Sequence, residues 1–318
     1  MMDRRSLVAL ALAAGGPRIA RAQSLEGPIT ILVPFTPGTG VDILARLIAP
    51  FLQARFAQPF VVENRPGASG NIGTQAAARA APDGRTLLLQ ANTFVMTPSL
   101  YKQVPYDPVG SFTPIIRLTR GDLVLAVHPG VAATDARSFA ALARSTTLNY
   151  ASPGNGTPQH LAMELFRLVA DVRMNHVPYR GSAPAIQDLI AGRVSAMVLP
   201  VHTAIPLAAA GHVRLLSVGS PQRSAAVPDV PTMAEAGFPG AEVDLWYGLL
   251  GPANLPPAIR EALRSALDEW LHLAATKEQL QAQGMTTVGG RSDDFAALIA
   301  SDGDRWASII RRAGLSAD

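Results

Sequence analysis

Apolar and polar positions alternate between two rhythms along the chain. Short apolar runs read as strands, and longer stretches with apolar residues three and four apart read as helices. Ile29–Phe35 is predicted as a strand and Val41 to about Phe56 as a helix, with Ile43, Leu44, Leu47, Ile48, Phe51 and Leu52 forming its stripe. Pro50 falls inside that stripe and is expected to kink or divide the helix, because it removes a backbone donor. Phe60–Val62, a glycine-rich loop, a helix over Thr74–Ala81 and strand Thr86–Gln90 follow, and then an apolar run Asp122–His128. The pattern then begins again. A strand, a Pro-Gly loop and a helix lie within "LNYASPGNGTPQHLAMELFRLVA", with Thr157 as N-cap and Pro158 at the first helical position. Strand Met174–Val177, helix Ala183–Ala191 and strands Val194–Leu199, Val213–Gly219 and Glu242–Leu250 continue the alternation. Helices from Pro256 and over Asp293–Ala313 close the chain. Such alternation predicts an α/β fold with largely parallel sheets.

The Pro37-Gly38 and Pro153-Gly154 loops stand 116 positions apart, each between a strand and a helix. Two similar lobes would produce this, as would any α/β protein, which repeats such units by construction. At 318 residues two lobes are the better expectation. The absence of cysteine rules out a disulfide scaffold and a thiolate metal site.

The first 22 residues change the charge picture. Arg4 and Arg5, an apolar run Leu7–Ala14 and the small-x-small site Ala20-Arg21-Ala22 read as a secretory signal peptide cut after Ala22. Arg4-Arg5-Ser6-Leu7 leaves twin-arginine export open beside the general secretory route, and a buried N-terminal helix is the bland alternative. Removing the leader takes four arginines and one aspartate, so 27 Lys+Arg fall to 23 and 24 Asp+Glu to 23. The mature chain is formally neutral, which removes the electrostatic footprint of a nucleic-acid binder.

A glycine turn feeding a helix leaves backbone N–H groups without acceptors beside the positive end of the helix dipole, an anion site by geometry. Gly38 and Gly40 allow close approach, and Thr36 and Thr39 add hydroxyls. The spacing lacks the third small residue of a dinucleotide loop and the Gly-Lys-Ser/Thr of a P-loop; a tight turn requiring positive φ remains the structural alternative. Asp42 either accepts amides of this loop or sits in the first helical turn, where its charge suits the dipole. The second loop offers Ser152, Asn155 and Thr157. "HVPYRGS" offers Tyr179, Arg180 and Ser182, with Arg180 either a counter-ion to an acid or a solvated surface charge. No histidine pair has metal spacing, and neither Ser69 nor Ser152 has a base placed for it in the sequence. His160 reads as a loop brace or lining residue, and Trp246 and Tyr247 as inter-lobe packing rather than a stacking platform.

"ILVPFTPGTGVDILAR", "VVENRPGASGNIGTQAAARAAPDGRTLLL", "YASPGNGTPQHLAMELF", "VPYRGSAPAIQDLIAGRVSAM" and "VPDVPTMAEAGFPGAEVDLWYGLLGPANLP" together resemble the Bug/TctC family. These are periplasmic solute-binding proteins of tripartite tricarboxylate transporters, and the likeness covers nearly all of the mature chain. The resemblance implies a two-lobed Venus-flytrap of the type II periplasmic binding class, each lobe a mainly parallel sheet flanked by helices. Lobe 1 would comprise 25–124 plus 247–318, and lobe 2 125–246, with a hinge of two crossing strands. It implies a monomer without cofactor or metal, not an enzyme, which takes up a small organic carboxylate and delivers it to transporter membrane subunits. A secreted serine hydrolase and a ligand sensor for a receptor kinase are the alternatives. By motif, the resemblance assigns ligand contact to Phe35, Thr36, Gly38, Thr39, Gly40 and Asp42, to Asn92 and Thr93, to Ser152, Gly154, Asn155, Thr157 and His160, and to Tyr179 and Arg180. Where the family usually has Phe-Asp after "GRVSAM", this chain has Val198-Leu199. Leu199 is therefore expected to make that wall of the cleft apolar and to favour acids without an amino group.

Overall fold

The computed structural model describes residues 27–243 and 245–316; the expected leader, Met1–Ala22, lies outside the described residues. In chain order the first lobe opens with β1 (Ile29–Val33), α1 (Gly40–Phe56), β2 (Phe60–Asn64), α2 (Asn71–Ala78), β3 (Thr86–Ala91), α3 (Thr93–Met96) and β4 (Phe112–Gly121). The second holds β5 (Leu123–Val127), α4 (Ala136–Ser145), β6 (Leu148–Ser152), α5 (Pro158–Ala170), β7 (Met174–Pro178), α6 (Ser182–Ile190), β8 (Ala196–Pro200), α7 (Val201–Ala209) and β9 (Arg214–Val218). The chain returns to the first lobe with β10 (Leu245–Pro252), α8 (Pro257–His272), α9 (Ala274–Ala282), β11 (Met285–Thr287) and α10 (Ser292–Ala313).

Two sheets result, ordered β11-β4-β10-β3-β1-β2 and β7-β6-β8-β5-β9. The two-lobed α/β architecture is present, but both sheets are mixed rather than mainly parallel. β1 pairs in parallel with β2 and β3, and β6 with β7 and β8. The strands next to the lobe crossings reverse direction: β10 runs antiparallel to β3 and β4, and β5 to β8 and β9. A chain that leaves one sheet and enters the next without an intervening helix cannot supply the right-handed crossover a parallel neighbour requires. The first passage lies between Gly121 and Leu123; the second follows Val243, whose amide bonds the Gly219 carbonyl at 2.9 Å.

Burial explains the local elements. In α1 the residues Val41, Leu44, Ala45, Ile48, Ala49 and Leu52 are buried at helical spacing, and Ala57 ends the helix in the left-handed region. Pro50 does not divide it. That residue is exposed, as is Arg46, whose carbonyl a helical amide at position 50 would have served. Trp246 is not an inter-lobe residue: its ring meets Phe94 and Phe295 edge-on, and its indole N–H donates to Asp302 at 2.9 Å, within the first lobe's core.

α2 packs so closely on the segment after β1 that it admits only glycine at position 73. A Cβ there would lie 2.7 Å from the Arg65 carbonyl oxygen and 2.9 Å from the Pro34 Cα, both backbone atoms. Gly73→Ala is expected to lower unfolding free energy by about 2 kcal/mol, read as a shifted urea midpoint at unchanged slope.

Candidate functional site

The loops that follow β1, β6, β7 and β8 all empty into one cavity of about 340 Å³ between the lobes, floored by Ala91, Thr93, Leu245 and Tyr247. Parallel strands deliver their following helices to the same edge of a sheet, so this convergence follows from topology. Four helix beginnings line the cavity: Gly40–Val41 of α1, Pro158–Gln159 of α5, Ser182–Ala183 of α6 and His202–Thr203 of α7. The first-turn amides they carry, Pro158 and Pro184 having none, lack intrahelical acceptors and sit at the positive dipole ends. Among the described residues, no Lys, Arg, Asp or Glu lines the cavity. Its charge preference therefore comes from backbone, and favours an anion.

The first loop is held from beneath. Gly38 takes φ +84°, a conformation glycine adopts freely. Its amide donates to the Asp42 carboxylate at 2.9 Å; Arg46 Nε and Asn64 Nδ2 donate to the same group at 3.1 and 2.9 Å. Asn64 Nδ2 also reaches the Phe35 carbonyl. Burial pushes the Asp42 carboxyl up, but the hydrogen bonds from Arg46, Gly38 and Asn64 outweigh it and hold the group below the usual carboxylate range. Asp42 thus shapes the loop and does not line the cavity.

The second loop is braced in the same way. Thr157 caps α5, accepting the His160 amide at 3.3 Å, while its hydroxyl donates to the Gly154 carbonyl at 2.8 Å. His160 Nδ1 accepts the Gly156 amide at 3.1 Å. Ser152 Oγ bonds Gly154 and lies 2.6 Å from His176 Nε2. The imidazoles of His160 and His176 stack at 4.0 Å, and Tyr150 stacks on His176 at 4.8 Å. Below them, Tyr150 donates to Glu164, which also accepts Arg167 at 2.6 Å. Burial, then the Arg167 charge, lowers His160 to about 4; burial, then His160, lowers His176 to about 3. Both rings are neutral at neutral pH.

Of the residues assigned from sequence, Phe35, Thr36, Gly38, Thr39, Gly40, Thr93 and Thr157 come together at the cavity. Asp42, Ser152, Gly154, Asn155 and His160 stand behind the loops as braces. Asn92 is fully buried, its carbonyl accepting the Val95 and Met96 amides. Tyr179 donates to Asp188 at 2.6 Å, and Arg180 is exposed; neither lines the cavity. Leu199 does not form the apolar wall expected of it. Alternation along β8 turns Met197 and Leu199 into the second lobe's own core beside Val124 and Ala126, and Pro200 reaches the cleft instead. The Ser152–His176 pair was invisible in the sequence because it spans adjacent parallel strands, with Tyr150 opposite His176. Ser152 is completely buried, Ser69 Oγ is engaged by Tyr101 and the Asn155 carbonyl, and neither serine lines the cavity. His202, Thr203, Ile186, Leu245 and Tyr247 are lining residues that sequence reasoning did not assign.

The family model described as tripartite tricarboxylate transporter family receptor, TctC, matches residues 44–315. The chain belongs to the TctC family. Protein BugT of Bordetella pertussis is 36% identical over 291 residues, covering 90% of this chain and 89% of its own. Among solved structures, R. palustris Rpa4515 with adipate is 33% identical, superposes with a TM-score of 0.86, and covers 91% of this chain and 98% of its own. MatC from Rhodopseudomonas palustris with bound malate is 29% identical at a TM-score of 0.81, covering 89% and 99%. This TctC chain shares with these neighbours the two-lobed fold of solute-binding proteins, a family of receptors rather than enzymes.

Proposed function

We propose that this TctC protein is an extracytoplasmic receptor that captures a small organic carboxylate between its lobes and hands it to the membrane subunits of a tripartite tricarboxylate-type transporter. It acts as a monomer in the periplasm after cleavage near Ala22. One observation carries the reading: four helix beginnings surround a cavity of about 340 Å³ that holds no charged side chain among the described residues. Free amides and dipoles satisfy a carboxylate without a cation. The adipate and malate bound by two structural neighbours are acids of the size such a cavity accepts. With no carboxylate among the described lining residues, an ammonium group on the ligand would be desolvated there without an acceptor of opposite charge. The receptor therefore prefers acids that carry no amino group, aliphatic or aromatic.

A ligand that binds only the folded form raises its stability by mass action, about 2.7 kcal/mol at a hundredfold excess over Kd. Thermal melts against a panel of organic acids should show a carboxylate-dependent rise of about 5 °C for a chain of this size. Deaminated acids are expected to exceed their amino-dicarboxylate counterparts. No shift across a broad panel, with no compaction in solution scattering, would remove the receptor reading; a stronger shift with amino-dicarboxylates would remove the preference.

A further inference from the structure

We propose that the phenolic hydroxyl of Tyr247 donates a hydrogen bond directly to the bound carboxylate at the start of α1. This rests on the carboxylate-receptor reading and assigns one side chain of that same cavity. Buried tyrosines elsewhere in the chain are paired: Tyr150 with Glu164, and Tyr106 with Thr97 and Asn71. Tyr247 is only 4% exposed, yet among the described residues its hydroxyl has no hydrogen-bond partner. Nor is the oxygen sealed in the core, because Tyr247 lines the cavity. A phenylalanine would fill the same volume without burying a polar atom, so the hydroxyl is explained by what enters the cavity.

Its position specifies the partner. β10 places Tyr247 opposite Ala91, so that both form part of the cleft floor. A Cβ built on Gly40 would overlap the Tyr247 hydroxyl and lie 2.9 Å from its Cζ, so the phenol stands directly over the first residue of α1. An anion drawn to the α1 amides meets an O–H donor at the same place. Burial raises the phenol's affinity for its proton, so it donates and does not ionise. A hydroxyl-to-carboxylate bond is charge-assisted and among the stronger kinds.

Tyr247→Phe deletes one oxygen and no protein–protein hydrogen bond. Calorimetric titration with adipate, malate and benzoate should show the tightest of the three weakened about 10- to 100-fold. The ligand-free melting temperature should stay within about 1 °C of wild type, because the missing group had no partner to strand. Equal affinity for wild type and variant overturns the assignment while leaving the receptor reading intact. Affinity lost together with ligand-free stability makes Tyr247 a structural residue and also overturns it. Failure of the wild type to bind any of the three probes overturns the assignment together with the reading it rests on.

Discussion

Replacing Asp42 by alanine is expected to weaken carboxylate binding about 10- to 100-fold and to lower stability by about 3 kcal/mol, although this side chain does not line the cavity. Its carboxylate collects the Gly38 amide, Arg46 Nε and Asn64 Nδ2 at 2.9 to 3.1 Å, and Asn64 in turn holds the Phe35 carbonyl. Removing it leaves three donors facing a void and frees the turn at Gly38. Arg46 adds little to that loss, because its side chain is half exposed and water can take over its bond. Asp42→Asn separates charge from shape. It keeps an acceptor for Gly38, so binding should fall less than stability does. The native carboxyl holds its proton less tightly than the unfolded one, so its contribution is complete above the unfolded value near 3.9 and is lost as pH falls through the lower native value. The wild-type advantage over Asp42→Asn should therefore shrink in urea titrations only below about pH 4. Unchanged affinity in Asp42→Ala would show that the first loop keeps its shape without its brace.

A second loss is expected at milder acidity, between about pH 6.5 and pH 4, from the stacked His160–His176 pair. In the unfolded chain both rings take up protons near pH 6.5; in the fold burial lowers them to about 4 and about 3. The unfolded state therefore binds more protons throughout that interval, and stability falls with pH until the native rings protonate too. Each tenfold loss of proton affinity on folding corresponds to about 1.4 kcal/mol. The buried His160 alone therefore accounts for roughly 3 kcal/mol, and the partly exposed, coupled His176 adds to it. His176→Gln, which cannot charge, should flatten the slope of melting temperature against pH in this interval. A slope identical to wild type would mean that other groups govern acid sensitivity. The function is tied to the same event. Protonated Nδ1 of His160 can no longer accept the Gly156 amide, so the second loop loosens where the ring finally charges.

The sequence showed the α/β alternation and both Pro-Gly loops because each depends on local chemistry: apolar period, a glycine free to take φ +84°, a proline at the first turn of α5. Sheet direction was not legible, because it depends on where the chain crosses between lobes. β4, whose "FTPIIRLTRG" interrupts its alternation with Pro114 and two arginines, gave no clear strand signal. α7 was hidden by Pro200 before it and Pro206 within it, and with it went His202 and Thr203. Tyr247 reaches the cleft through the antiparallel register of β10, which no spacing encodes. Conversely, Arg180 and Tyr179 carry suggestive chemistry in a suggestive motif, yet one faces water and the other serves Asp188. Residue type announces capability; side-chain direction decides whether it is used.

The absence of a formal charge among the described lining residues has an environmental corollary. Exposed ion pairs fade as electrolyte rises, since counter-ions crowd around them within a Debye length of about 8 Å at physiological strength. Peptide dipoles enclosed between two lobes present nothing comparable for dissolved salt to neutralise. A compartment whose fluid follows the medium outside the cell is one where recognition built this way keeps its grip in dilute and briny surroundings alike.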